Sequence, residues 1–244
     1  VLTNAIPPAV TPSVVTEHIR RGHIPYDKTC EICQQSRSTQ RQSRRVIFHD
    51  TKKTEPGLIS IDLIGPMVES LNRTKYLLVC LKNDTRFIAV RPMANKEAKT
   101  VLKHYQDICR EEFRHFQVTR IHADNGTEFK GEFEEYLRSL KIRQTFSPPY
   151  HPQSNSLVER KNRAIISTVT AILKQANAPE EIWDEAAGRA AFELNRALLE
   201  IPGYTSKVAP ADLEKKADYT RSTGVEIPAF GTTAGAVPVS YTHL

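Results

Sequence analysis

Leu58-Ile59-Ser60-Ile61-Asp62-Leu63-Ile64 is a run of strand-forming side chains with one carboxylate inside it. A strand this apolar is buried on both faces, as strands are in a sheet covered by helices. An ionised carboxylate in such a place costs free energy unless a cation neutralises it. Asp62 therefore reads either as a satisfied strand-end carboxylate or as one ligand of a cation site. Outward from this run, residues 76–81 and 86–90 predict two further strands, separated by the turn-forming Lys82-Asn83-Asp84-Thr85. Asn95 is placed to cap a helix reaching about residue 113, with Ala98, Val101, Leu102, Tyr105 and Ile108 on one face. Residues 118–123 predict a fourth strand, which stops at Asp124-Asn125-Gly126. A short helix over 132–140 and a fifth strand over 142–146 follow.

Beyond a loop at 147–153, the spacing predicts a long helix over about 154–176, striped by Val158, Ile165, Val169 and Ile172 and widened by Ile166 and Leu173. A last helix over about 179–199 aligns Trp183, Ala187, Ala190, Leu194 and Leu198. Three strands, a helix, a strand, a helix, a strand and then helices describe an α/β fold: a mixed five-stranded sheet flanked by helices.

With 244 residues, the chain is long enough for one core of about 150 residues and smaller appendages. Its 39% hydrophobic and 25% charged residues are those of a globular protein, and the longest apolar runs are too short to span a membrane. The Pro-interrupted start does not read as a signal peptide. Four cysteines, at 30, 33, 80 and 109, do not make a disulfide framework in a chain of this length. The net charge of +6 is concentrated near the N-terminus, where residues 1–56 hold nine Lys/Arg against five Asp/Glu. Arg41, Arg44 and Arg45 lie there in a Gln/Ser-rich stretch, which reads either as a solvated linker or as an arm for a polyanion.

Two further carboxylates stand out. Asp124 ends the fourth strand, and Glu159 lies one turn into the long helix at the edge of its apolar stripe. Taken singly, they have ordinary readings as turn chemistry and as a favourable charge near a helix N-terminus. Gathered with Asp62, they would form an oxygen-only site suited to Mg²⁺ or Mn²⁺, and paired ions of this kind support in-line phosphoryl displacement. Nearer the N-terminus, His18-x4-His23-x6-Cys30-x2-Cys33 has ligand types and pair spacings suited to tetrahedral Zn²⁺. The alternative is two exposed histidines and two free thiols. Cys80 and Cys109 read as core residues.

Three strings occur in order: Ile121-His122-Ala123-Asp124-Asn125-Gly126-Thr127-Glu128-Phe129, Pro149-Tyr150-His151-Pro152-Gln153-Ser154-Asn155 and Val158-Glu159-Arg160-Lys161-Asn162-Arg163. Together with Asp62 and its Leu63-Ile64-Gly65-Pro66 sequel, they resemble the integrases of retroviruses and LTR retrotransposons, the last string being closest to copia-type elements. The resemblance covers about residues 57–200. It implies a ribonuclease-H-like core and a DDE polynucleotidyl transferase, with Asp62, Asp124 and Glu159 as catalytic ligands of Mg²⁺ or Mn²⁺. It also implies a structural Zn²⁺ on His18, His23, Cys30 and Cys33, although six residues between His23 and Cys30 leave no room for the family's usual helix there.

Tyr150 and Asn155 match loop positions that approach the DNA end. Arg160, Lys161 and Arg163 join the linker arginines as candidate DNA contacts. Two departures from the family pattern are the 34 residues between Asp124 and Glu159, one fewer than usual, and Ser156 in place of a loop glycine.

The organisation expected is an extended segment over 1–16, a zinc-binding module over 17–35, a basic linker over 36–56, a catalytic core over 57–203 and a C-terminal tail over 204–244. The ending at 238–244 reads as neither a finished element nor a natural terminus. The expected function is 3′-end processing and strand transfer of element DNA into target DNA by a homo-oligomer, in the nucleus or a retrotransposon particle. The rival readings are a decayed or domesticated DNA-binding protein and a nuclease of the same fold.

Overall fold

The computed structural model describes residues 17–36, 55–114, 116–147 and 156–215. Arg41, Arg44, Arg45, Tyr150 and Asn155 lie outside the described residues, as do segment 1–16, most of the linker and the end of the tail. Five strands form one sheet: β1 (Leu58–Ile64), β2 (Tyr76–Lys82), β3 (Ile88–Met93), β4 (Arg120–Ala123) and β5 (Arg143–Phe146), in the order β3-β2-β1-β4-β5. The hairpin-linked strands β1, β2 and β3 pair antiparallel. Strand β4 joins β1 in parallel, and β5 joins β4 in parallel, each after a helical crossover.

Period-two alternation sorts the strand side chains onto two covered faces. Ile59, Ile61, Leu78, Cys80 and Ala89 pack with Val101, Tyr105 and Ile108 of α2 (Ala98–Glu111) and with Phe133 and Leu137 of α3 (Glu132–Ser139). On the opposite face, Leu77, Val79, Leu81, Ile88 and Val90 meet Val158, Ile165 and Val169 of α4 (Ser156–Gln175). They also meet Trp183, Ala187, Ala190 and Leu194 of α5 (Trp183–Arg196). Each fully buried aliphatic side chain contributes about 1.5–3 kcal/mol, so the double cover explains why β1 and β2 carry almost no polar alternation. This is the mixed sheet flanked by helices that the sequence predicts.

Gly57 makes the β1–β4 junction possible. Its φ of +81° suits only glycine, and a Cβ there would lie 2.5 Å from Thr119 Oγ1. Its carbonyl accepts from the Thr119 N–H at 3.0 Å, which starts the parallel pairing.

Several boundaries differ from the sequence reading. Strand β3 runs over Ile88–Met93 rather than 86–90, because the turn extends to Arg86, which has φ +63°. Pro92 fits inside β3 because that strand is an edge of the sheet. Helix α2 begins at Ala98, with Asn95 Oδ1 accepting the Glu97 N–H at 3.1 Å just ahead of it. Helix α5 ends at Arg196, and the extended Ala197 turns Leu198 out to 66% exposure. Leu198 therefore does not join the apolar face expected of it.

The packed unit also continues beyond residue 203. Leu199 and Val208 form an antiparallel bridge, and Ala209 and Leu213 are buried. Glu214 accepts from the buried Lys82 Nζ at 2.5 Å and from Thr85 Oγ1 at 2.6 Å. Lys82 Nζ also lies 4.3 Å from the Phe116 ring centroid and 4.7 Å from that of Phe113. Three apolar residues and one ion pair leave no periodic trace in sequence, so this stretch reads as tail although Val208, Ala209, Leu213 and Glu214 tie it to the core.

Candidate active site and metal centre

The register of the parallel strands brings the aspartates together. Ser60 on β1 pairs with His122 on β4, so two residues further along each strand stand Asp62 and Asp124, on the face that meets α4. Asp124 is the first residue beyond β4 and is exposed, and its Oδ1 accepts the Gly126 N–H at 3.2 Å. Glu159, in the first turn of α4, is exposed on the same side. Asp62 is half-buried. Its Oδ1 accepts the Leu63 N–H at 2.9 Å and its Oδ2 accepts from Asn162 Nδ2 at 2.8 Å.

Burial raises the Asp62 pKa to about 6, against the two hydrogen bonds, and the charges of Asp124 and Glu159 push the same way. The three carboxylates thus share one electrostatic site. Their chemistry, hard oxygen donors beside a carboxylate that is costly to ionise, fits Mg²⁺ or Mn²⁺. Asn162 is a site residue that the sequence reading quoted only within a motif. It lies three residues after Glu159, hence on the same helix face, and that spacing was the available signal. Its Oδ1 is buried without a hydrogen-bond partner.

Ser156, which stands in place of a loop glycine, is the first residue of α4. Right-handed helical backbone suits any L residue there. Of the basic residues on α4, Arg160 and Arg163 are exposed. Lys161 is half-buried, and burial, then Arg86 and Arg160, lower its pKa to about 8. Behind the carboxylates, His122 touches Thr145 and Ser147 through its two ring nitrogens. Burial, then the charge of Arg120, holds its pKa below the usual range, which favours the neutral imidazole.

The second cluster is local in sequence. A helical turn over 17–20 carries His18, and the left-handed pair Gly22 (φ +60°) and His23 (φ +64°) folds the next imidazole back on it. Cys30 and Cys33 come from the start of α1 (Glu31–Ser36) and the residue before it. The four ligand atoms lie within 4.8 Å of one another. His18 Nε2 is 3.1 Å from His23 Nδ1 and 3.3 Å from Cys33 Sγ, and His23 Nδ1 is 3.3 Å from Cys30 Sγ and 3.7 Å from Cys33 Sγ. The edges of a tetrahedral zinc site with ordinary Zn–N and Zn–S bonds are about 3.3–3.8 Å, so the donor set and its spacing fit Zn²⁺. Among the described residues, this is the group of ligand atoms that has already converged.

The whole module rests on the core. Ile24 packs against the α4–α5 face of the sheet, and Arg189 Nη2 of α5 donates to the Arg20 carbonyl at 3.2 Å. Among the described residues, no helix is long and apolar enough to cross a membrane.

Residues 52–152 match the integrase core domain family. The chain is 30% identical over 177 residues to the retrovirus-related Pol polyprotein from transposon TNT 1-94 of Nicotiana tabacum, covering 70% of this chain and 13% of that protein. It is 25% identical over 192 residues to the corresponding polyprotein from transposon RE1 of Arabidopsis thaliana, covering 78% and 13%. It therefore spans about 13% of the length of these curated relatives. The crystal structure of the catalytic core domain of BIV integrase superposes with a TM-score of 0.51 at 21% identity, covering 69% of this chain and 99% of that one, which supports the ribonuclease-H-like fold. The matched core domain contains Asp62 and Asp124, the relatives are retrovirus-related Pol polyproteins, and the fold is that of an integrase catalytic core, so the chain is similar to the retroviral and LTR-retrotransposon integrases.

Proposed function

We propose that this chain is the integrase portion of a retrotransposon polyprotein, trimming the 3′ ends of element DNA and joining them to target DNA. The observation that carries this reading is Asp62: a half-buried carboxylate held by Asn162 and coupled to Asp124 and Glu159. A structural aspartate would be expected to pair with a cation of the protein. This one faces two more acids.

Asp62, Asp124 and Glu159 would hold Mg²⁺ or Mn²⁺ at the open end of the sheet, where exposed Asp124 and Glu159 face incoming DNA. Bound there, the ions supply activation of the attacking hydroxyl and stabilisation of the leaving oxygen in an in-line displacement. Asn162 keeps Asp62 oriented, and the exposed Arg160 and Arg163 contact phosphates beside the site. His18, His23, Cys30 and Cys33 would hold a structural Zn²⁺. DNA ends, target DNA and further copies of the chain are the partners.

A strand-transfer assay on element-end oligonucleotides with Mg²⁺ or Mn²⁺ tests the reading. Asp62→Asn and Asp124→Asn should each lower turnover by about a thousandfold or more, while metal-free DNA affinity stays level or rises. Wild-type protein that binds these ends yet joins none with either ion would favour the non-catalytic binding protein.

A further inference from the structure

His122 stands one row below the proposed metal ligands. The sheet pairs Ser60, His122 and Thr145 across β1, β4 and β5. The next row on that face is Asp62, Asp124 and Ser147, and the Ser147 N–H donates to the Ala123 carbonyl at 3.0 Å, carrying the β4–β5 ladder up to that row. The imidazole spans both rows: Nδ1 is 3.0 Å from Thr145 Oγ1, and Nε2 is 3.1 Å from Ser147 Oγ.

Thr145 gives these bonds a direction: with its hydroxyl donating to the Ile121 carbonyl at 3.2 Å, Oγ1 accepts from His122. In that arrangement Nδ1 carries the ring proton and Nε2 is bare. A bare Nε2 accepts from Ser147, whose one O–H then points down into the sheet. Both lone pairs of Ser147 Oγ are left for the row occupied by Asp62 and Asp124.

We propose that His122 is a positioning residue for the carboxylate site, its Nδ1–H tautomer turning the Ser147 hydroxyl so that Oγ presents an acceptor to water or a substrate hydroxyl beside Asp124. The proposal rests on the catalytic reading of the three acids. It gives Ser147 a polarity that the neighbouring carboxylates cannot impose, since they would draw its proton toward themselves. The arrangement resembles the outer-shell hydrogen bonds behind many metal ligands, whose loss costs about 10–100-fold in metal affinity or activity.

The test uses the full zinc-loaded chain. Ring ¹⁵N spectra, with His122 assigned by its disappearance in His122→Gln, should show the Nδ1–H tautomer in wild type and a shift toward Nε2–H in Ser147→Ala. Mn²⁺ affinity and strand-transfer turnover should both fall about tenfold in Ser147→Ala and His122→Ala. His122→Gln, which still reaches Ser147, should stay within about threefold of wild type, whereas His122→Asn, which reaches only Thr145, should behave like the alanine variant. Ser147→Ala should melt with wild type, so a folding defect would not account for its loss. An Nε2–H wild-type ring overturns the proposal, as does a Ser147→Ala protein with unchanged Mn²⁺ affinity and turnover. If Asp124→Asn also leaves Mn²⁺ affinity unchanged, the catalytic reading fails together with the relay. An Asp124-dependent ion site that ignores Ser147 overturns the relay alone.

Discussion

The two candidate metal sites are built in opposite ways. The His/Cys ligands come from residues 18–33, and their atoms have converged through a helical turn, a left-handed pair and the start of α1. The carboxylates come from residues 62–159 and are brought together only by strand register and by the seating of α4 on the sheet. Soft and neutral donors can sit in contact without an ion. Carboxylates do not gather so freely: burial, and then the charges of Asp124 and Glu159, raise the Asp62 pKa, so the structure carries a cost at this site. A local cluster can thus be nearly complete on its own, whereas a distributed one needs a rigid core to hold groups that would move apart.

The largest effect that would break this contrast concerns the module. Structural zinc contributes about 10–16 kcal/mol of apparent binding free energy to small domains that fold around it. Cys30→Ser with Cys33→Ser should lose about one equivalent of Zn²⁺, measured by metal analysis of untagged protein. Because Ile24 and Arg20 rest on α4 and α5, the loss should also reach the single tryptophan, Trp183. Each 1 kcal/mol of lost docking should lower the melting temperature followed by its fluorescence by about 2–4 °C. An unchanged core transition would make the module an independent unit.

A smaller effect sharpens the other half of the comparison. The Asp62 pKa is raised in the folded state, so the native protein binds more protons than the unfolded chain between the ordinary aspartate value and about 6. Stability contributed by this group is present at low pH and is lost as pH rises through that window. Without divalent ions, wild type should therefore lose roughly 2–3 kcal/mol relative to Asp62→Asn between about pH 4 and pH 7. Millimolar Mg²⁺ or Mn²⁺ should restore most of it in wild type only. Parallel pH curves for the two proteins would return Asp62 to a structural role.

The smallest effect lies at the rim. Replacing the exposed Arg160 or Arg163 by Gln should weaken binding to all DNA sequences alike and reduce the salt slope by about one for each phosphate no longer neutralised. Half-buried Lys161 should contribute less to that slope. Equal slopes for all three variants would show that burial does not sort these cations.

Much of the fold was legible because its signals are local. The apolar run at 58–64 and the stripes of α4 and α5 are periodic, and β1 has the bounds its residues suggest. The docking of residues 204–215 was not legible, since the Lys82–Glu214 pair joins residues 132 positions apart and no pattern near either announces it. Leu198 failed for the opposite reason: the stripe was continuous, but the helix stopped before it.

The amino-acid sequence by itself determined which side chains could do chemistry here: three acids in family motifs, four soft or neutral ligands at metal spacing, and the alternation that requires a sheet covered on both faces. Only the tertiary structure decided that Asp62 and Asp124 share a row, that Asn162 holds Asp62, and that His122 lies between the hydroxyls of Thr145 and Ser147. Composition and periodicity are properties of neighbours along the chain. Register, burial and hydrogen-bond direction depend on groups that become neighbours only when the chain folds, and they decide what each side chain can do.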